Sequence, residues 1–129
     1  MERIEKRIAI LYSLKREKIT KVLKKYQLSY EDYQIVMTLH YAEGQKVEDV
    51  VKETGINPQF IHFVMEDLIN KEYIQIENEQ LYLTKKSKVL YPQIKRIVKE
   101  CQDEIERQMN TDEHHEMIEM LDRLIELYE

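Results

Sequence analysis

The stretch Lys46–Lys86, KVEDVVKETGINPQFIHFVMEDLINKEYIQIENEQLYLTKK, carries two hydrophobic periods, and the switch between them predicts its elements. Val47, Val50 and Val51 share one face of a short helix that ends near Glu53. Thr54-Gly55-Ile56-Asn57-Pro58 then reads as a turn. Gly55 tolerates the positive φ that ends a helix, Asn57 is a favoured N-cap, and Pro58 at the first helical position lacks only an N–H that would be unpaired anyway. Ile61, Val64, Met65 and Leu68 follow at i, i+3, i+4 and i+7, the buried stripe of a second helix. From Tyr73 the period drops to two. Tyr73-Ile74-Gln75-Ile76-Glu77 and Gln80-Leu81-Tyr82-Leu83 are β-type runs around Asn78-Glu79, which fits a tight hairpin.

Helix, tight turn, helix, hairpin is the layout of a winged helix-turn-helix, a fold used mostly to read DNA. Outward from it the chain is helical. Ile4, Ile8, Leu11, Ile19, Val22 and Tyr26 predict an amphipathic helix over 3–26. Ser29, with Asp32 three residues on, predicts a capped helix through Tyr33, Val36 and Leu39 to about Ala42, ended by Gly44. Thr84 is expected to cap a helix that carries Leu90, Ile94, Ile97, Val98, Cys101 and Ile105 on one face. Asn110-Thr111-Asp112 restarts the chain, with Thr111 as the cap of a last helix bearing Met117, Leu121, Leu124 and Tyr128. Two glycines and two prolines in 129 residues leave few breaks. The expected fold is mainly α with a small β-hairpin: a winged helix-turn-helix lobe over 29–87, flanked by helical regions 1–28 and 88–129, all one domain over 1–129.

A hydrophobic share of 43% suffices for a core, and the 35% charged share suits long solvated helices. No run approaches the roughly 18 apolar residues of a membrane span. The charged start, Arg3-Ile4-Glu5-Lys6-Arg7, lacks the apolar stretch of a secretory signal. With one cysteine, Cys101, there is no intramolecular disulfide, and a cytoplasmic protein is expected. Charge is unevenly spread: residues 1–26 carry +6, residues 46–86 carry −3, and residues 97–129 carry −8. The basic first helix and acidic last helix either pack together or form two solvated faces of opposite sign.

Nothing in the chain reads as catalytic. It has no nucleophile–base pair, no Gly-rich phosphate loop and no Cys-x-x-Cys, so neither an enzyme nor a cofactor is expected. His114-His115, between Glu113 and Glu116, point about 100° apart on a helix and read as a solvated helix start rather than a metal site. Cys101, on an apolar stripe, reads as a small hydrophobe rather than a redox sensor. His40 reads as a helix-end residue and His62 as an exposed one. The six Met and nine Tyr fall mostly on helical stripes, as core or dimer interface; lining a ligand pocket is the other role open to Tyr12.

Over more than 100 residues the chain resembles the MarR family of bacterial transcription regulators, including its SarA-type branch. Leu11-Tyr12 lies at the first-helix motif, and Leu28-Ser29-Tyr30-Glu31-Asp32-Tyr33 resembles the start of the second helix. Val47 to Ile56 resembles the first helix of the reading motif, and Asn57 to Ile74 its recognition helix and following strand. Leu83-Thr84-Lys85-Lys86-Ser87 resembles the Leu-Thr-x-x-Gly that leads out of the wing, and Thr111-Asp112-Glu113 the start of the last helix. The resemblance implies a homodimer with intertwined first and last helices. Two recognition helices would enter successive major grooves of double-stranded DNA. It also implies a small-molecule effector bound between dimer helices and lobes, and no membrane partner.

The chain departs from that pattern where DNA would be touched. The family's hairpin tip is longer and carries Asp-x-Arg, whose arginine enters the minor groove; here Asn78-Glu79 joins the strands and no Lys or Arg is present. The recognition helix over about 58–71 turns Gln59, Phe60, His62, Phe63, Glu66, Asp67 and Asn70 outward, with Phe63 where relatives often have Arg. As a DNA reader, the chain would contact bases through Gln59, Phe60, His62 and Phe63. Asn57, Lys46, Lys85 and Lys86, with Lys52 and Lys71 in reserve, would contact the backbone. The alternative is a winged-helix interaction module, an antirepressor or partner subunit that binds a protein through Phe60, Phe63, Glu66 and Asp67. An exposed Phe pair favours a binding patch; in the blander arrangement Phe60 tucks against the preceding helix or the hairpin.

Overall fold

The computed structural model describes residues 3–129. Helix α1, Ile4–Leu23, places Ile19 and Leu23 in the core. A 3-10 turn, Lys24–Tyr26, and a left-handed Gln27 lead into α2, Tyr30–Tyr41. Ser29 caps α2 as its spacing with Asp32 predicts: the Asp32 amide donates to Ser29 Oγ, and the Ser29 amide donates back to Asp32 Oδ2, both at 3.0 Å.

Gly44 does not end α2. The helix stops at Tyr41, where Ala42 turns extended while its amide still donates to Thr38 O. Gly44, at φ +78°, serves the next element: its amide donates to Leu81 O at 2.8 Å and starts strand β1, Gln45–Lys46. That strand was not expected from the sequence. It makes the hairpin a three-stranded antiparallel sheet of order β1-β3-β2, with β2 at Ile74–Glu77 and β3 at Gln80–Leu83. Ile76 pairs with Leu81 and Glu77 with Gln80, so the turn is the two residues Asn78-Glu79, both with positive φ as a tight hairpin requires.

Between β1 and β2 run α3, Val47–Thr54, and α4, Pro58–Asn70. After β3 comes α5, Lys85–Glu106; Thr84 caps it, accepting the Ser87 amide at 3.2 Å. Helix α6, Thr111–Tyr128, closes the chain. Its cap is Asn110 and not Thr111: Asn110 Oδ1 accepts the Glu113 amide at 2.8 Å, and the Asn110 amide donates to Glu113 Oε1 at 3.0 Å. An Asn–x–x–Glu box satisfies two orphan donors at once, which a Thr111 cap would not.

The chain divides near Val98 into two compact units. The first holds the core, in which Ile35, Leu39, Val50, Ile61, Leu68, Leu81, Tyr91 and Ile94 are almost fully buried. The α5 stripe is therefore buried only in part: Ile94 and Val98 are, Leu90, Ile97 and Cys101 are half-buried, and Ile105 is exposed. The second unit, Lys99–Glu129, buries none of its side chains fully; Met117, Ile118, Leu121 and Ile125 of α6 lie open. In α1, Ile4, Ile8, Leu11 and Leu14 are also open. Among the described residues no helix is long and apolar enough to cross a membrane.

Candidate nucleic-acid interface

The turn between α3 and α4 is built as its residues predict. Gly55, at φ +71°, donates its amide to Val51 O at 2.9 Å and reverses the chain. Thr54 Oγ1 donates to Val50 O and accepts the Ile56 amide, which holds Ile56 in the core. Asn57 Oδ1 then accepts the Gln59 amide at 2.9 Å, with Pro58 opening α4. Helix α4 is thus fixed at its start by local chemistry and along its length by Ile61, Val64, Met65 and Leu68, all buried.

Its other face is free. Gln59, Phe60, His62, Phe63, Glu66 and Asn70 are exposed. Phe60 does not tuck away: it is 52% exposed and Phe63 69%, with ring centroids 6.2 Å apart. Two adjacent aromatic rings in water at the centre of a helix face are a costly surface unless something covers them.

The cations divide into two groups. Lys46, Lys52 and Lys85 stand exposed around the lobe. Lys71 and Lys86 are engaged in the protein itself. Lys71 Nζ donates to Gln27 O at 2.6 Å and pairs with Asp67 at 2.7 Å and with buried Asp32 at 3.1 Å. Burial alone would lower the Lys71 pKa, but the hydrogen bonds to Asp67 and Asp32 outweigh it and hold the ammonium above its ordinary value. Lys86 Nζ donates to Lys71 O at 2.8 Å and lies over the Tyr73 ring. The sequence signal for the Lys71 tie was Asp67 four residues before it, a helical ion-pair spacing. Asp67 is accordingly half-buried and neutralised, which leaves Glu66 as the outward acid of α4. The hairpin adds Glu77 and Glu79, both exposed, and no cation.

His114 and His115 engage different carboxylates, Glu106 and Glu119, each at 3.1 Å. Among the described residues no three His, Cys, Asp or Glu gather as a metal would need. His40 lies 4.2 Å, centroid to centroid, from Tyr91, whose buried hydroxyl has no partner among the described residues. Tyr12 is half exposed, edge-on to Tyr30 at 6.4 Å, while Arg16 lies over that ring and pairs with Glu31.

No protein-family model and no curated protein matches the chain. Solved structures do, along nearly its whole length. A MarR-like transcription regulator from Bacillus cereus ATCC 10987 superposes with a TM-score of 0.90 at 16% identity, covering 98% of this chain and 96% of that one. A MarR transcriptional regulator from Methanosarcina mazei Go1 gives 0.85 at 22% identity over 95% and 93%. A Mycobacterium tuberculosis MarR family protein in complex with DNA gives 0.80 at 14% identity over 96% and 98%. The chain therefore has the winged-helix fold of MarR-type regulators.

Proposed function

We propose that the chain is a dimeric DNA-binding transcription regulator of MarR type, acting in the cytoplasm, in which α4 reads the major groove. The observation that carries this is α4 itself: one face locked into the core and six side chains of the other exposed, directly after a glycine turn. A protein of the same fold in complex with DNA supports the reading. Dimerisation is supported by the open apolar faces of α1 and α6, which exceed what an isolated soluble helix needs. A small-molecule effector follows from the resemblance alone.

Gln59, Phe60, His62 and Phe63 would then meet bases, while Asn57, Lys46, Lys52 and Lys85 meet the backbone. Lys86 is the weaker candidate because its ammonium already holds the Lys71 carbonyl. Three free lysines per lobe predict a shallow salt dependence, a slope of about −5 at most for a dimer. The test is fluorescence anisotropy of the purified protein on labelled duplexes, from about 50 mM salt upward. Binding that weakens with salt, with Lys46→Ala and Lys85→Ala each flattening the slope by about 2 because a dimer loses two contacts, is the expected result. Absence of binding to any duplex at the low end sinks the reading.

One observation favours a second reading. Glu66 shares the exposed face of α4 with Phe60 and Phe63, and the hairpin adds exposed Glu77 and Glu79 without a cation; this negative charge repels phosphate and suits a basic protein surface. On it the chain is a winged-helix interaction module. Phe63→Asp would then abolish partner binding with the fold intact.

A further inference from the structure

Helix α4, Pro58–Asn70, contains no arginine or lysine. Guanine is read in the major groove chiefly by two-pronged donation from Arg or Lys to O6 and N7, and this face has neither; His62 can offer a single donor only. What it offers is an amide, Gln59, able to bond adenine N6 and N7, and two aromatic rings. Apolar side chains recognise one feature of a base edge, the C5-methyl of thymine. The Phe60 and Phe63 centroids lie 6.2 Å apart, between one and two base steps at about 3.4 Å each. The rings are the most exposed large apolar groups of α4, so a methyl laid against each removes both from water.

Resting on the DNA-reading proposal above, we propose that Phe60 and Phe63 are the specificity determinants of α4 and read thymine methyl groups, so that the target is a run of A·T pairs with thymines at the contact. The inference accounts for the acidic setting. Glu66 on α4, with Glu77 and Glu79 on the hairpin, leaves the lobe little affinity to draw from phosphates, and methyl burial is a source of affinity that needs no charge.

The test replaces thymine by uracil. Uracil keeps every Watson–Crick bond and every phosphate and removes only the methyl. The best-binding duplex from a random pool is synthesised with thymine and again with uracil throughout, and both are titrated at one salt concentration. Two methyl contacts per helix, four per dimer, predict a loss of about a hundredfold in affinity on uracil. Phe60→Ala with Phe63→Ala should bind both duplexes equally, which separates methyl contact from any change in duplex shape; both residues are exposed, so folding is not at stake. Equal binding of the two duplexes by the unaltered protein, or selection of G·C-rich sequences from the pool, overturns the inference and leaves the DNA reading standing. Failure to bind any duplex overturns the DNA reading, and this inference with it.

Discussion

At the scale of single residues, the most consequential contact is Lys71 with Asp32. Asp32 is 1% exposed, and burial pushes its carboxyl above the ordinary range. The Ser29 amide and the Lys71 ammonium pull it back, but by less. Breaking a buried pair from one side leaves an uncompensated charge. Lys71→Met should therefore cost about 2–3 kcal/mol of stability at neutral pH, discounted because Lys71 keeps some solvent contact. Adding Asp32→Asn should recover most of that loss, since asparagine can still accept the Ser29 amide. The sign with pH follows from the raised carboxyl. The folded chain holds a proton that the unfolded chain has released, so stability rises as pH falls through the folded value. Lys71→Met removes one of the two pulls and moves that window upward, so its penalty should shrink between pH 7 and about pH 5. Urea unfolding at both pH values measures it; a pH-independent penalty would mean Lys71 acts through packing alone.

At the scale of elements, the hairpin turn carries strain that can be removed. Asn78 and Glu79 have φ of +50° and +64°. Asparagine tolerates that region and glutamate does not, so Glu79→Gly should stabilise the chain by about 0.5–1 kcal/mol and raise its thermal midpoint by a few degrees. A lower midpoint would mean the Glu79 side chain has a stabilising role of its own. The turn was legible in sequence because two β-type runs left two residues between them. So was α4, whose four buried side chains and Asn57-Pro58 start are local signals. Strand β1 was not legible. Gln45–Lys46 has no periodicity, and its partners Leu81 and Gln80 lie more than thirty residues away. The α6 cap was misplaced by one residue because Asn110 and Thr111 are both good caps, and only Glu113, three residues after Asn110, separates them. For the candidate site, the outward face of α4 was legible from its period. Beyond the Asp67 spacing, the withdrawal of Lys71 was not, since it depends on Gln27 and Asp32, distant in sequence, nor was that of Lys86, which depends on the Lys71 carbonyl fifteen residues back.

At the scale of the whole molecule, the apolar residues of α1 and α6 that find no place in the core set the expected assembly. Ile8 and Leu121 are each about two-fifths exposed, at 41% and 40%, on faces that continue through Leu11 and Ile125. A second copy is the partner that the proposed function supplies. Each large aliphatic side chain fully buried contributes about 1.5–3 kcal/mol, and a charge in its place adds a desolvation cost. Ile8→Glu with Leu121→Glu should therefore raise the dimer dissociation constant at least about a hundredfold, read by sedimentation equilibrium, with helix content preserved in circular dichroism. Charge adds a second, separable effect. Residues 1–26 carry +6 and residues 97–129 carry −8. If the two copies bring these segments together, attraction between them is screened at about 1 M salt, where the Debye length falls to about 3 Å. The dissociation constant of the unaltered protein should then rise severalfold between low and high salt. A constant that stays level or falls with salt would show that the basic and acidic helices are two solvated faces and that apolar burial alone holds the dimer.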